Sequence, residues 1–359
     1  MRTTRRQLLS AAAWAGLFGC GGPERRRVVL GAAEVEGAPA LLVVIDGAPH
    51  PVPTPSRGHG VAVRSDRRRA VVFGRRPADW ALELDLEPPL RPRRLTPPDA
   101  LQMQGHGAFG RDGSLFVSLA DRETAEGFVG VWQPEQRRWA AVWPTEGLGP
   151  HELLVLPDGA VVVANGGLRT SAGQREPINL DTMDSSLVYL DPRSGRVLER
   201  VRAGIPKGSL RHLAVSPQGR VGVGLQIQRA AVGHDRPLPL AFVHDRATGA
   251  ARILDAPEAA RMVDYVGSVA FAPRARQWAL TSPRGSLALF FDDEGRLAGT
   301  HRFADVCGAS ATVDGDGFLL SSSTGRLREV EVTAGAVRVR RAIDFDARWD
   351  NHLLALARG

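Results

Sequence analysis

A short motif that recurs along the chain constrains its fold more than any other feature of the sequence. The motif is a histidine or a small polar residue followed by a short apolar run, first seen at Gly58-His59-Gly60-Val61-Ala62. The steps between its copies are 47, 45, 61, 56, 40 and 44 residues, with equivalent positions at His59, His106, His151, His212, Ser268, Gly308 and His352. A period of about 40 to 50 residues is typical of a four-stranded propeller blade. The repeat therefore predicts a β-propeller.

The segments between the copies favour strands throughout. Tight-turn pairs follow the first apolar run of several units, at Asp112-Gly113, Asp158-Gly159 and Gln218-Gly219. Such pairs supply the positive φ angles that short hairpins need. Helical periodicity is almost absent, and the best helix candidate is one or two turns at 256–263. We therefore expect an all-β chain.

The two ends of the chain complete the count of blades. Seven residues follow His352, and 31 separate Val28 from His59, which together make one unit of blade length. Apolar, strand-like runs lie at 28–33 and 40–46. We expect a seven-bladed propeller at 28–359, made of four-stranded blades and closed by a C-terminal inner strand with three N-terminal strands outside it. Closure of this kind removes the exposed edge of a sheet.

The first 20 residues predict export. Arg5-Arg6 belongs to a twin-arginine signature, and the apolar stretch at 8–18 is too short to span a bilayer but fits a signal peptide. Cys20 ends a segment that resembles a lipobox, so we expect it to carry lipid. The sequence thus predicts a signal peptide at 1–20, a tether at 21–27 and a periplasmic protein held to the membrane by its lipid.

Charge and cysteine content exclude other classes. The net charge is +7, but the basic residues are dispersed and no basic stripe interleaved with aromatic residues is present, so nucleic acid is not an expected partner. With two cysteines the chain has no disulfide framework. We expect a monomer.

The repeated histidines predict a site at the propeller axis. Equivalent positions on inner strands lie around one mouth of the central channel, which brings together His59, His106, His151, His212 and His352. Neutral imidazoles that face a common space bind iron, copper or zinc, and a neighbouring thiolate such as that of Cys307 can complete the ligand set. Alternatively, each histidine donates a structural hydrogen bond to the next blade.

Other polar residues are candidates for binding a ligand in the channel. Arg211 and Arg284 could clamp a carboxylate or a phosphate, or form ion pairs with Asp264 or Asp305 instead. Two long segments, 165–185 in the third blade and 227–240 in the fourth, are candidate working loops. The full set of candidate ligand-binding residues is Arg211, Arg284, Asn165, Tyr265, Asp264, Asp305 and Asn351.

Ten ordered motifs across the mature chain resemble a family of exported bacterial β-propellers. They lie at 59–62, 106–109, 149–153, 164–167, 179–183, 186–191, 265–270, 281–285, 304–308 and 349–352. Members of that family are encoded beside imelysin-type iron-uptake lipoproteins and di-haem cytochrome-like proteins. The resemblance implies the propeller fold, the exported compartment and, by association, a role related to metals. The chain departs from the family pattern at 119–123 and at Ser171, where a histidine is usual.

These features predict an accessory protein for iron or copper handling that binds a metal or another ligand at the channel mouth. An imelysin-like or cytochrome-like periplasmic protein is the expected partner. A metal-dependent enzyme of lactonase or oxidoreductase type is one alternative, and an interaction scaffold with structural histidines is another. The sequence has no nucleophile elbow, Walker loop, dinucleotide fingerprint or haem-attachment motif.

Overall fold

The computed structural model describes residues 26–170, 176–333 and 335–358, and these form almost entirely β-structure. The expected signal peptide with Cys20, Ser171 and most of the expected tether lie outside the described residues. No helix in the described part of the chain reaches the length and apolar character that crossing a membrane requires.

Twenty-nine strands follow one another along the described chain. The first seven are β1 (Arg26–Val35), β2 (Ala38–Ile45), β3 (Ala48–Pro53), β4 (Gly58–Val63), β5 (Arg69–Gly74), β6 (Ala81–Asp85) and β7 (Arg93–Leu95). The next eight are β8 (Leu101–Phe109), β9 (Leu115–Asp121), β10 (Glu126–Gln133), β11 (Arg138–Leu148), β12 (Pro150–Val155), β13 (Val161–Asn165), β14 (Ser186–Leu190) and β15 (Val197–Val201).

The second half of the chain continues the same pattern. Its first eight strands are β16 (Gly208–Val215), β17 (Val221–Ile227), β18 (Ala241–Asp245), β19 (Ala250–Ile253), β20 (Ser268–Ala272), β21 (Gln277–Ser282), β22 (Leu287–Asp292) and β23 (Leu297–Arg302). The last six are β24 (Val306–Ala311), β25 (Phe318–Ser322), β26 (Arg326–Thr333), β27 (Ala336–Asp344), β28 (Ala347–Trp349) and β29 (Leu354–Arg358). Two short 3-10 helices lie at Arg229–Ala231 and Pro257–Met262.

The strands form seven antiparallel sheets arranged as the blades of a propeller, which confirms the predicted fold. Blades 1 to 6 are β4–β7, β8–β11, β12–β15, β16–β19, β20–β23 and β24–β27, each running from its inner to its outer strand. Blade 7 joins the two ends of the chain, with β28 and β29 inside β1, β2 and β3. The two long segments connect β13 to β14 and β17 to β18, as predicted, and the helix candidate at 256–263 is the second 3-10 helix.

Apolar residues fill the space between neighbouring blades. The described residues form seven buried clusters, and each cluster joins one blade to the next around the ring. Alternation along a strand explains how one strand serves two clusters. In β1, Val28 and Leu30 pack toward blade 1, whereas Val29 and Ala33 pack toward blade 6. Each blade therefore depends on both of its neighbours for the burial of its apolar side chains.

The closing blade follows the predicted order, but its inner strand is split and its first strand begins earlier than expected. The C-terminal segment is innermost, but it pairs with β1 in two parts: Leu30 lies opposite Leu354 in β29 and Ala33 lies opposite Trp349 in β28. The four residues between these parts leave the ladder and include His352. The Asp350 backbone NH still donates to the Ala32 carbonyl at 2.8 Å. In addition, β1 begins at Arg26, inside the stretch expected to be tether.

Candidate metal centre

The inner strands carry β-bulges at the repeated motif. The pairing of each inner strand with its neighbour shifts register next to His59, His106, His151 and His212, and again beside Cys307 in blade 6. In blade 7 the gap between β28 and β29 takes the place of the bulge. A bulge bends its strand and changes the direction of the side chains in it. Bulges thus position the histidines of four blades, and the gap positions His352 in the fifth.

The five predicted histidines lie together on the axis. The His59 ring centroid lies 4.7 Å from that of His106 and 4.7 Å from that of His352, and the His151 and His212 centroids are 5.0 Å apart. His59, His106 and His212 are no more than 3% exposed. The channel is therefore narrow enough here for imidazoles from opposite blades to approach one another.

Two overlapping sets of potential metal ligands occur in this cluster. One comprises His106, Glu152, His212 and His352, and the other comprises His59, His106 and His151. Within each set, one donor atom from every residue lies within 4.8 Å of the others. His106 belongs to both sets. Glu152 was not among the residues expected at the site. It stands directly after His151, where the other copies have Gly60, Gly107, Leu213 and Leu353.

Glu152 links histidines from two other blades. Its Oε1 is 3.8 Å from His106 Nδ1, and its Oε2 is 3.5 Å from His212 Nδ1. The Leu213 backbone NH donates to Oε2 at 2.9 Å and holds the carboxylate in place. Burial raises the pKa of Glu152, although the neighbouring His352 and the bond from Leu213 oppose that rise. A carboxylate fixed among imidazoles can act as an oxygen ligand.

Several imidazole nitrogens in the cluster are buried without a hydrogen-bond partner among the described residues. They are His59 Nδ1, His106 Nε2, His212 Nδ1 and His352 Nε2. Burial holds the pKa of His106 well below its ordinary value, and the neighbouring rings of His352 and His59 lower it further. The pKa values of His151, His212 and His352 are likewise well lowered by burial. The rings are therefore in the neutral form that binds metals.

A buried carboxylate of the closing blade orients His59. Asp350 Oδ1 is 3.5 Å from His59 Nδ1 and 3.6 Å from Arg75 Nη1, while its Oδ2 accepts from Arg57. Burial alone would raise the pKa of Asp350, but the contacts with His59, Arg75 and Arg57 outweigh it and hold the pKa far below its usual range. Asp350 is thus an anion beside the cluster, and it too was missed by sequence reasoning.

Gly60 allows the inner strands of blades 1 and 2 to approach closely at the cluster. A Cβ at this position would lie 2.6 Å from the Gly105 carbonyl oxygen and 2.8 Å from His106 Nδ1. We expect Gly60→Ala to lower the free energy of unfolding by about 1–3 kcal/mol, because the extra carbon overpacks the interface. Urea denaturation measures this change.

In a His106→Ala background the Gly60→Ala substitution should cost less, because one of the two obstructing groups is gone. An equal cost in both backgrounds would show that His106 does not press on this site, and no cost in either would contradict the close approach.

Cys307 lies near the axis but outside both ligand sets. Its Sγ is 3.5 Å from the Trp349 carbonyl oxygen and 3.6 Å from that of Ser321. Burial raises the pKa of the thiol to about 12. The thiol is therefore protonated, and it forms hydrogen bonds within the wall between blades 6 and 7.

Most of the other candidate residues line a cavity of about 620 Å³ beside the cluster. Those at its wall are Arg211, Arg284, Tyr265, Asp305, Asn351 and Cys307, together with His59, His151 and His212. The Asn351 amide donates to the Tyr265 hydroxyl at 2.8 Å. Asp305 accepts a hydrogen bond from the Ser323 hydroxyl. The structure therefore places most of the predicted ligand residues beside three of the five predicted histidines, while His106 and His352 belong to the cluster but do not line the cavity.

Two of the candidate ligand-binding residues do not line this cavity. Asn165 is fully buried at the end of β13, where its side-chain oxygen accepts from Thr145 Oγ1 at 2.8 Å. Asp264 pairs with Arg229, whose Nε donates to Oδ2 at 2.8 Å. Asp264 is thus the ion-pair partner of Arg229 and of neither Arg211 nor Arg284 among the described residues.

Comparisons with known proteins agree with this fold. Many solved structures are similar, among them hydrazine synthase from Kuenenia stuttgartiensis, with 16% sequence identity and a TM-score of 0.60 over 85% of this chain and 90% of that one. At such identity the likeness shows the fold alone. A search of curated proteins finds no match. The family model of a protein of unknown function, DUF1513, matches residues 52–356. Because this match covers most of the chain, the protein belongs to the DUF1513 family.

Proposed function

We propose that this propeller binds a transition-metal ion, iron or copper, at the histidine cluster on its axis and acts as an accessory protein in the handling of that metal. The cluster offers imidazole nitrogens and one carboxylate. Imidazole suits copper, iron and zinc, and a carboxylate joins histidines in known types of iron(II) and zinc site. The metal set favoured by the contacts is His106, Glu152, His212 and His352, with His59 and His151 beside it.

The observation that carries this proposal is the group of buried imidazole nitrogens without partners. An unsatisfied buried polar atom costs about 1–3 kcal/mol. His106 Nε2 and His352 Nε2 have no partner among the described residues, whereas His59 Nδ1 and His212 Nδ1 each face a carboxylate oxygen at 3.5 Å. The first two alone cost about 2–6 kcal/mol, a large share of the net stability of a typical domain, about 5–15 kcal/mol. An ion bound by these nitrogens offsets that cost, which a purely structural role for the rings leaves unexplained.

The spacing of the donor atoms fits one ion after a small adjustment. Ligands bonded to one metal at about 2.0–2.2 Å are at most about 4.4 Å apart. The donors of each set lie within 4.8 Å of one another, so one ion can reach all of them only if side chains rotate toward it, and the proposal requires this rotation. Asp350 next to His59 is the kind of outer carboxylate that commonly orients a metal-binding histidine.

The proposed setting is the periplasm. The twin-arginine signature at Arg5-Arg6 and the lipobox-like segment ending at Cys20 support export and attachment to the membrane through lipid. The resemblance to exported propellers encoded beside imelysin-like and cytochrome-like proteins supports one of these as the partner.

A metal-dependent enzyme is the second candidate function. The observation that favours it is the cavity beside the cluster, because catalytic metals keep an open position for substrate. In that case a histidine outside the ligand set is the candidate base, and turnover of a lactone or a redox dye would depend on the metal. If no metal binds but a periplasmic partner is captured, the scaffold alternative is favoured.

Metal analysis tests the proposal directly. Protein purified without a histidine tag is expected to contain one iron or copper ion per chain. Removing the ion with a chelator should lower Tm, and adding it back should restore Tm, since a ligand at 100 times its Kd stabilises a fold by about 2.7 kcal/mol. Protein that takes up neither iron nor copper and shows no Tm shift with either would contradict the proposal.

A further inference from the structure

The cavity beside the histidine cluster is lined mainly by cationic groups. The arginines at its wall are Arg57, Arg75, Arg76, Arg211 and Arg284. The carboxylates at its wall are those of Glu176 and Asp305. Asp350 lies next to Arg57 and Arg75 and partly offsets them. Even with Asp350 included, the arginines outnumber the carboxylates. Groups that converge in this way attract an anion into the cavity.

Arg211 is the most unusual of these arginines. It is the extra residue of the bulge in β16, since Leu210 pairs with Leu225 and His212 with Gly224. Its Nε is buried without a hydrogen-bond partner, and the described part of the chain gives its guanidinium no ion pair. A guanidinium that is partly withdrawn from water and has no counter-charge is costly, and an anion in the cavity offsets that cost.

Arg284 is a second arginine that can bind an anion, and it lies at the wall of the same cavity. Its guanidinium carbon lies 4.8 Å from the centre of the Tyr265 ring, which holds the side chain by a cation–π contact. The Asn351 amide fixes the Tyr265 hydroxyl in turn. Arg284 is otherwise exposed, and the further contact that the described residues give it is a 3.5 Å bond from Nη1 to the Val263 carbonyl oxygen. Its remaining donors are available to a ligand.

The size and the walls of the cavity indicate an organic anion. A volume of about 620 Å³ lies in the range of small-molecule sites and is far larger than one phosphate needs. The wall also includes apolar surface from Leu168, Pro177, Pro283 and Trp349. Guanidinium groups pair with carboxylates through two parallel hydrogen bonds. Two arginines at separate positions therefore suit a molecule with more than one carboxylate.

We propose that this cavity binds a small organic di- or tricarboxylate, with one carboxylate on Arg211 next to the histidines and another toward Arg284. His151, His212 and Arg211 line the same space, so the bound acid can also offer an oxygen atom to the metal. This last contact rests on the proposed metal site, whereas binding by the arginines does not.

Isothermal titration calorimetry on the metal-free full-length protein tests the proposal. The probes are tricarballylate, succinate, inorganic phosphate and neutral glycerol. We expect tricarballylate and succinate to bind more tightly than phosphate, glycerol to give no heat, and added NaCl to weaken the binding. Arg211→Gln is expected to weaken the binding of tricarballylate at least tenfold. Arg211→Lys should weaken it less than Arg211→Gln does. Arg193→Gln, in an exposed turn of blade 3, is the matched control and should change nothing.

Several outcomes would overturn the proposal. They are phosphate binding more tightly than both organic acids, no heat with either acid, and an Arg211→Gln variant that folds normally by circular dichroism but binds tricarballylate like wild type. The His106→Ala protein separates this proposal from the metal site. The metal-free His106→Ala protein should still bind tricarballylate. The experiment therefore distinguishes a protein that binds the acid but no metal from one that binds metal but not the acid.

Discussion

Replacing His106 with alanine is expected to remove the metal from the purified protein and to leave the propeller folded. His106 is the one residue shared by both ligand sets, and its Nε2 is buried without a partner. Loss of an outer-sphere partner already weakens metal sites by about 10–100-fold, so loss of this ligand should weaken binding by more than ~100-fold. The apolar packing between blades should survive the substitution, because His106 is not part of the apolar clusters there.

Metal content per chain and competition with a chelator of known affinity measure this effect. His234→Ala is the matched control, since His234 is exposed in the segment between β17 and β18 and should keep its full metal content. Circular dichroism establishes that both variants are folded. A folded His106→Ala protein that retains one tightly bound ion would show that the cluster is not the metal site.

Removing residues 346–359 is expected to prevent the protein from folding. The deletion takes away β28 and β29 and leaves β1 as an open sheet edge. It also removes Trp349, Leu353 and Leu356, which are 2%, 5% and 8% exposed. Burying one large apolar side chain contributes about 1.5–3 kcal/mol. Three of them approach the net stability of a typical domain, about 5–15 kcal/mol. Cooperative thermal unfolding should be lost.

A synthetic peptide of residues 346–359 provides the control. Added to the truncated protein, it should restore cooperative unfolding, because it can pair with β1 as the C-terminal segment does. A peptide with Trp349→Ala should restore it less well. A truncated protein that unfolds cooperatively within a few degrees of the full-length Tm would mean that closure by this segment is not required.

The fold could be predicted because it follows from features that the chain repeats. Histidine-led runs at blade-length intervals and Asp-Gly turns gave the number of blades, and the lengths at the two ends gave the closing blade. The split of the inner strand into β28 and β29 could not be predicted in this way. It depends on Asp350, which bonds to Arg57 and approaches His59 in blade 1.

The histidine cluster was predictable, but two of its acidic neighbours were not. Alternation along a regular strand places adjacent residues on opposite faces, which would direct Glu152 away from His151. The bulge in β12 breaks that alternation. One sequence signal was available, since Glu152 is the only charged residue that directly follows a repeated histidine. The partner of Asp264 could not be predicted either, because the conformation of the segment after β17 brings Arg229 into contact with it.

The histidines of the cluster come from blades 1, 2, 3, 4 and 7, between positions 59 and 352. No fragment much shorter than the whole chain can contain them all, and none of the blades buries its apolar side chains without its neighbours. The complete histidine cluster therefore cannot be obtained as a peptide by proteolysis or by dissection into blades. If the cluster binds metal as proposed, metal uptake is a late event in biogenesis, one that reports whether the entire ring has assembled.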